Sequence, residues 1–314
     1  MLDYPKTIQE MIDQLGQEKD CLAYFRKIRW PEGYRCPKCN HSKGWNTNEQ
    51  TTKCSQCKYR ASLFAGTIFQ DTRIPIRTWF QAIWWFIHQK TGASALALQQ
   101  SLGIGSYRTA WTMLHKLRIA MVTPNRGKLS GEVEVDETYI GGPEALENTG
   151  RGAKTKQLVV IATEKNGKKT GRIRMKHISA ATAKNLHTFI QENIELGSTI
   201  ITDQLNSYVE IKKKGYIHHP MRKPSLWENK GSDAEELLPR VHRVASLLKR
   251  WYYGTYQGRI EPRYLPAYLN EFTFRFNRRT SNSRGLLFYR LLENLILIEP
   301  KTYQTLRQHH KMLW

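Results

Sequence analysis

The sequence predicts a multi-domain α/β protein: helical and cysteine-bearing modules first, a mixed-sheet domain after them. Three observations carry that reading. Cys36, Cys39, Cys54 and Cys57 stand in a C-x2-C-x14-C-x2-C spacing. Hydrophobic periodicity is helical as far as the polar stretch Thr123–Ser130 and changes to strand alternation beyond it. Past that boundary strand and helix patterns interleave, the layout of a sheet covered by helices.

A chain of 314 residues with 40% apolar content buries a substantial core, which excludes a disordered protein. No apolar run of about eighteen residues is present and MLDYPKTIQEMIDQLG has no apolar leader segment, so the expected location is cytoplasmic. Forty-nine Lys and Arg against 27 Asp and Glu, a net charge of +22, point to a polyanionic partner. The excess is concentrated. Thr72–Gly131 holds eight Lys or Arg and no acid, and Arg240–Arg290 holds eleven against Glu261 and Glu271. Charge kept only for solubility mixes both signs.

Residues 6–27 place Ile8, Met11, Ile12, Leu15, Leu22 and Phe25 at helical spacing. Each C-x2-C pair that follows can present two thiolates to one tetrahedral Zn²⁺, and four thiolates complete its coordination, so the zinc is structural. Cys21 falls outside the spacing and reads as a buried thiol. Trp45, Asn46, Thr51 and Thr52 suit the short strands of a zinc ribbon.

A helix over Ile76–Gln89 comes next. Then Ser94–Leu102, a turn through Gly103–Gly105, and Ser106–Met121 form helix, glycine turn, helix, the helix-turn-helix pattern. Tyr107, Arg108, Thr112, His115 and Lys116 are expected on the exposed side of the second helix, with Arg108 and Lys116 meeting DNA. An ordinary helical hairpin has the same outline; the lack of acids favours DNA.

Beyond Ser130 the predicted strands are Glu132–Tyr139, Gln157–Thr163, Arg172–Ile178, Thr199–Thr202 and Tyr216–His218. The predicted helices are Thr182–Ile194, Ser207–Lys214, Ala234–Tyr253, Arg263–Arg278 and Leu286–Leu297. The loop Gly141–Lys156 reads as a DNA-contacting hairpin tip or a plain flexible connection. In GEVEVDETYIGG, alternation sets Glu132, Glu134 and Asp136 on one strand face and the valines on the other. That acidic face reads either as solvated or as a holder of a hard divalent cation. Asp203 follows the β-branched run STIIT, 67 residues after Asp136. If the first and fourth strands are neighbours, both carboxylates face one cleft, where their repulsion invites a divalent cation. On the later helix Val241, Val244, Leu248 and Trp251 form a core face, and His242, Ser246 and Lys249 line another.

The cysteine ribbon, GASALALQQSLGIGSYRTAWTMLHKLR, VDETYIGG, TDQLNSY, VHRVASLLKRWYYGTYQG and YLNEFTFRFNRR, in that order, resemble the ISXO-like insertion-sequence transposases. These join a zinc ribbon to a DDE-type, RNase H-like catalytic domain. The resemblance runs from about Asp20 to Leu292. It implies N-terminal helices (1–35), a zinc ribbon (36–66), a helix-turn-helix region (67–125), an RNase H-like domain (130–300) and a C-terminal tail (301–314). It implies binding to double-stranded DNA at terminal inverted repeats, two-metal strand cleavage with Mg²⁺ or Mn²⁺, and 3′-hydroxyl transfer into target DNA. A homo-oligomer, dimer or larger, in a prokaryotic nucleoid is implied too. Carried over, the catalytic positions are Asp136, Asp203 and His242 with Lys249, the histidine matching a DDH subgroup; Glu235 and Glu236 are the rival third ligands. Arg250, Arg275, Arg278 and Arg279 are expected on phosphates, and Tyr252, Tyr253 and Tyr256 stack on bases or simply pack. The alternative is a domesticated or inactive copy that only binds DNA; a transcription factor ranks last, since it leaves residues 131–300 without a purpose.

Overall fold

The computed structural model describes residues 3–122, 126–141, 156–221 and 237–308. They group into two compact units: Met1–Thr123 with Thr280–Trp314, and Pro124–Arg279.

The first unit begins with α1 (Ile8–Leu15) and α2 (Glu18–Arg29), followed by a three-stranded antiparallel sheet of β1 (Gly44–Asn48), β2 (Thr51–Cys54) and β3 (Arg60–Ser62). Three helices follow: α3 (Ile76–His88), α4 (Ala95–Leu102) and α5 (Tyr107–Ala120). Gly103 closes α4 in the left-handed region at φ 62°, where glycine has no Cβ penalty. Pro75 cannot supply a side-chain cap to α3, and Glu18 does so from a distance, accepting from the N–H groups of Ile76 at 2.8 Å and Arg77 at 2.9 Å.

In α5 the expected exposed face is largely interior. Tyr107 and Arg108 are exposed, but His115 and Lys116 are buried. The Lys116 ammonium donates to the Ile68 carbonyl at 2.7 Å, and burial pulls its pKa down to about 8. Buried Arg118 likewise donates to the Ala93 carbonyl at 2.9 Å. With no acid between Thr72 and Gly131, backbone carbonyls serve as the acceptors. Lys116 therefore fastens the unit's interior and does not stand on the exposed face expected of it.

The second unit carries a five-stranded sheet in the order β6-β5-β4-β7-β8. Its strands are β4 (Glu132–Ile140), β5 (Gln157–Asn166), β6 (Lys169–Ile178), β7 (Thr199–Thr202) and β8 (Ile217–Pro220). β4, β5 and β6 run antiparallel as a meander; β7 and β8 are parallel to β4. Helix α6 (Ala183–Asn193) crosses between β6 and β7, and the helix expected over Ser207–Lys214 is a 3-10 helix spanning Asn206–Lys214. Val133, Val135, Val160, Ala162 and Ile200 pack on one sheet face against Leu186, Phe189, Ile190, Tyr208 and Ile211.

Helices α7 (Pro239–Tyr256) and α8 (Leu265–Asn277) complete this unit, α7 packing on β4 and β5 and α8 on β6. The acidic face of β4 is thus roofed, and Glu134 is 3% exposed. α9 (Arg284–Leu297) and α10 (Tyr303–Gln308) return to the first unit, whereas the sequence reading ended the catalytic domain at residue 300. There α9 packs on α3, with ring contacts from Phe288 to Phe80 and Trp84. A Cβ at Gly285 would stand 1.9 Å from the Pro5 carbonyl oxygen, so only glycine admits that approach.

Candidate active site and metal centre

β4 and β7 pair in parallel, Glu132 with Thr199, Val133 with Ile200 and Glu134 with Ile201. The offset is 67 residues throughout, which sets Asp136 level with Asp203, one residue past the end of β7. Adjacent strands lie about 4.8 Å apart. Asp203 sits at a strand end, as expected. Asp136 lies mid-strand, since β4 continues to Ile140 with β5 paired to its other edge from Val133 onward.

The turn carrying Asp203 is braced twice. Asp203 Oδ1 accepts from the Leu205 N–H at 3.0 Å, and the Thr202 hydroxyl donates to the Asp203 carbonyl at 2.6 Å. The same hydroxyl lies 2.9 Å from His218 Nε2, in a buried contact between β7 and β8.

α7 brings the third group. The Glu134 carboxylate accepts from the backbone N–H groups of Arg240 at 2.8 Å and Val241 at 2.9 Å, and from the Arg240 guanidinium at 2.9 Å. It caps a helix whose own N-cap, Leu238, offers no acceptor side chain. At the far end Tyr253 donates its hydroxyl to the Gly141 carbonyl at 2.5 Å. Eleven helical residues from His242 to Tyr253 rise about 16.5 Å, and five strand residues from Asp136 to Gly141 cover about the same. α7 therefore runs alongside β4, and His242 falls opposite Asp136, its Nε2 3.3 Å from Asp136 Oδ2. Both side chains keep solvent access, 40% for His242 and 23% for Asp136. Lys249 lies half-buried one heptad further along α7.

Burial raises the Asp136 pKa, as does the Asp203 charge, while the Glu137 backbone N–H and His242 oppose the rise. Glu137 points to the opposite sheet face, where the fully buried Tyr208 donates its hydroxyl to Glu137 Oε1. Burial, with the Asp136 and Asp203 charges, pushes Glu137 up to about 7, and it pushes Tyr208 far above the usual phenol range. No periodic signal announces the Glu137–Tyr208 pair. The role of Glu134 was legible only as one more acid on the Asp136 face. Glu235 and Glu236 lie outside the described residues, as do 142–155 of the loop expected to reach DNA.

The ribbon gathers its four cysteines. Cys36 Sγ lies 3.6 Å from Cys57 Sγ, Cys39 Sγ lies 3.6 Å from Cys54 Sγ, and all four sulfurs fall within 4.8 Å of one another. Sulfurs around tetrahedral zinc at about 2.3 Å stand about 3.8 Å apart, and a disulfide would need about 2.05 Å. The two knuckles share a backbone form: Asn40 and Lys58, each four residues after its first cysteine, have φ 58° and 59°. The four thiols fit one structural zinc. Among the described residues no other group of three or more His, Cys, Asp or Glu is gathered as a metal cluster, so Asp136, Asp203 and His242 stand more openly than the thiols. Cys21 is buried and donates to the Leu15 carbonyl at 3.1 Å, outside the cluster.

Residues 128–277 match the ISXO2-like transposase domain, and residues 16–60 match the transposase zinc-ribbon domain. The chain belongs to the ISXO2-like transposases with an N-terminal zinc ribbon. A protein described as uncharacterized in transposable element ISH50 of Halobacterium salinarum is 24% identical to it over 282 residues, spanning 80% of this chain and 89% of the relative.

In this transposase the arginines expected on phosphates divide. Arg250 is exposed on α7. Arg279 is exposed, lies over the Phe276 ring at 4.1 Å and donates to the Thr170 carbonyl. Arg278 is half-buried over Phe274 at 4.1 Å. Arg275 is committed elsewhere: it pairs with fully buried Glu271 at 2.9 Å and is itself 12% exposed. Tyr252 and Tyr256 pack, Tyr252 donating to the Gly258 carbonyl at 2.9 Å and Tyr256 lying 4.8 Å from the rings of Trp251 and Tyr268. Arg108 is exposed over the Tyr303 ring at 3.8 Å. No described helix is long and apolar enough to cross a membrane.

Proposed function

We propose that this transposase binds double-stranded DNA at the terminal inverted repeats of its element, cleaves the strand there and joins the freed 3′-hydroxyl to target DNA. Asp136, Asp203 and His242 form the reacting site, and the protein works as a homo-oligomer on the paired ends. The observation that carries the reading is the meeting of Asp136 with His242 at 3.3 Å, on a strand that sets Asp136 level with Asp203.

One pair of donors, His242 and Asp136, has the spacing of two ligands on a divalent cation, with Asp203 standing further off. Neighbouring ligands of an octahedral ion at about 2.1 Å stand about 3 Å apart, close to the His242–Asp136 separation. Mg²⁺ or Mn²⁺ bound there would supply charge neutralisation at phosphorus and a more acidic attacking oxygen. Asp136 and Asp203 hold negative charge at one level of the sheet. The Glu134 cap fixes α7 so that the imidazole stays beside Asp136. Lys249, one heptad along, and exposed Arg250 and Arg279 would receive the DNA backbone.

The test is a strand-transfer assay with labelled element ends and Mn²⁺ or Mg²⁺. Asp136→Ala should abolish joining and leave end binding intact. A histidine where a third carboxylate is usual favours one rival reading, a copy that binds DNA without cutting it. A wild type that binds ends but never cleaves with any divalent cation would establish that rival.

A further inference from the structure

The ribbon's small sheet has two unlike faces. Trp45 pairs across the strands with Lys53, and Lys53 with Arg60, so the three form one row over β1, β2 and β3. The neighbouring row is Asn46, Thr52 and Ala61, which side-chain alternation sends to the other face. That second row is the anchored one. Thr52 and Ala61 are buried, and Arg26 of α2 donates to Asn46 Oδ1 at 3.0 Å, Thr52 Oγ1 at 2.8 Å and the Glu49 carbonyl at 2.6 Å. The Trp45 row must point away from α2.

It carries an unusual pairing. Trp45 is 46% exposed, every residue of β1 is exposed, and Arg60 is exposed. The ammonium groups of Lys53 and Lys58 lie 5.6 and 5.4 Å from the Trp45 ring centroid. An indole left in water forgoes burial of a large apolar surface. The four thiols, not this ring, hold the ribbon together, so the ring contributes nothing evident to its folding. Residues 35–60 hold six Lys or Arg and a single acid, Glu49, in the β1–β2 turn. A flat apolar plate ringed by cations is complementary to a polyanion with flat faces and exposed sugars.

We propose that Trp45, Lys53, Lys58 and Arg60 form a DNA-docking face that grips the duplex backbone independently of sequence. The cations meet phosphates and the indole packs on deoxyribose or a base edge. This proposal rests on the reading that the chain acts on DNA, and it adds a second contact surface, on the zinc ribbon, apart from the reacting site.

The experiment uses the full-length zinc-loaded protein and a short fluorescent duplex of arbitrary sequence, with affinity measured over a range of salt. Removing two phosphate contacts in the double variant Lys53→Gln, Arg60→Gln should make the log–log salt dependence shallower by about 1.8. Trp45→Ala should weaken binding about fivefold or more at constant salt slope. Unchanged zinc content and melting temperature would show the ribbon intact in each variant. Wild-type affinity and slope in all variants would overturn the docking face while leaving DNA binding in place. A wild type that binds no duplex would overturn the DNA reading and this face with it. Unchanged DNA binding with an altered solution mass would also overturn it, assigning the face to contact between copies of the chain.

Discussion

Glu134 on β4 holds Arg240 on α7 twice, through the backbone N–H at 2.8 Å and the guanidinium at 2.9 Å. Two residues further on each element stand Asp136 and His242, so the cap sets the register of the pair proposed to react. Glu134 is 3% exposed, and removing its carboxylate strands two N–H groups and a guanidinium. Glu134→Ala is expected to cost about 3–5 kcal/mol, the range for breaking a buried pair from one side. Glu134→Gln keeps an acceptor and should cost about 1–3 kcal/mol. Denaturant unfolding measures both, and equal stability of Glu134→Ala and wild type would remove the cap from the argument.

The Tyr208 hydroxyl ties the segment after Asp203 to the residue after Asp136. Tyr208→Phe keeps the ring in the core and leaves the Glu137 carboxyl without this donor, at an expected cost of about 1–3 kcal/mol. Glu137 is raised to about 7 from an ordinary 4.5. The folded state therefore holds its proton more tightly, and stability from this group is full below pH 4.5 and lost as pH rises to 7. Unfolding of Glu137→Gln should lack that segment of the wild-type pH profile. A profile identical to wild type across pH 4.5–7 would contradict the assignment.

Much of this architecture is legible in the sequence, and the limits have physical causes. Strand alternation and the β-branched run before Asp203 place each aspartate on its own strand, whereas the 67-residue register of β4 on β7 that sets them level is long-range and enters the sequence argument only as a condition. The ribbon is legible because thiolate spacing is dictated by one tetrahedral ion. The burial of Lys116 is not, since it depends on α5 being surrounded and on carbonyls standing in for absent acids. Arg275 was within reach: Glu271 stands four residues earlier, the spacing at which helical ion pairs form. The cap from Glu134 joins positions 106 residues apart, and no local pattern announces it.

Lys116 gives a prediction that separates an interior role from DNA contact. Its pKa is lowered to about 8 from 10.5 by burial. Between those values the unfolded chain binds more protons than the folded one, so stability rises with pH from 8 to 10.5. The relief amounts to about 3 kcal/mol at most. Wild type should accordingly gain on Lys116→Met across that window in calorimetry. Lys116→Met should also bind duplex DNA as wild type does; a marked loss of affinity in a folded variant would restore Lys116 as a contact.

The ribbon predicts one zinc per chain, held by Cys36, Cys39, Cys54 and Cys57. Cys54→Ser should lose most of that zinc and lower the melting temperature, because binding free energy here is folding free energy. Cys21→Ser alters a buried thiol outside the cluster and should keep the metal. Elemental analysis of the two variants decides it, and equal zinc loss in both would make Cys21 a ligand.

His242 is where the site departs from three carboxylates, and its chemistry can be read from metal preference. A carboxylate suits Mg²⁺, whereas an imidazole nitrogen is a poorer partner for that hard ion and a better one for Mn²⁺. His242→Glu keeps a ligand at the place 3.3 Å from Asp136 while hardening it. The ratio of Mg²⁺- to Mn²⁺-supported joining should rise in this variant, while His242→Ala loses joining with both ions. DNA binding should be unchanged in each. An unaltered ion ratio in an active His242→Glu protein would mean that the imidazole orients Asp136 by hydrogen bonding and does not hold the cation.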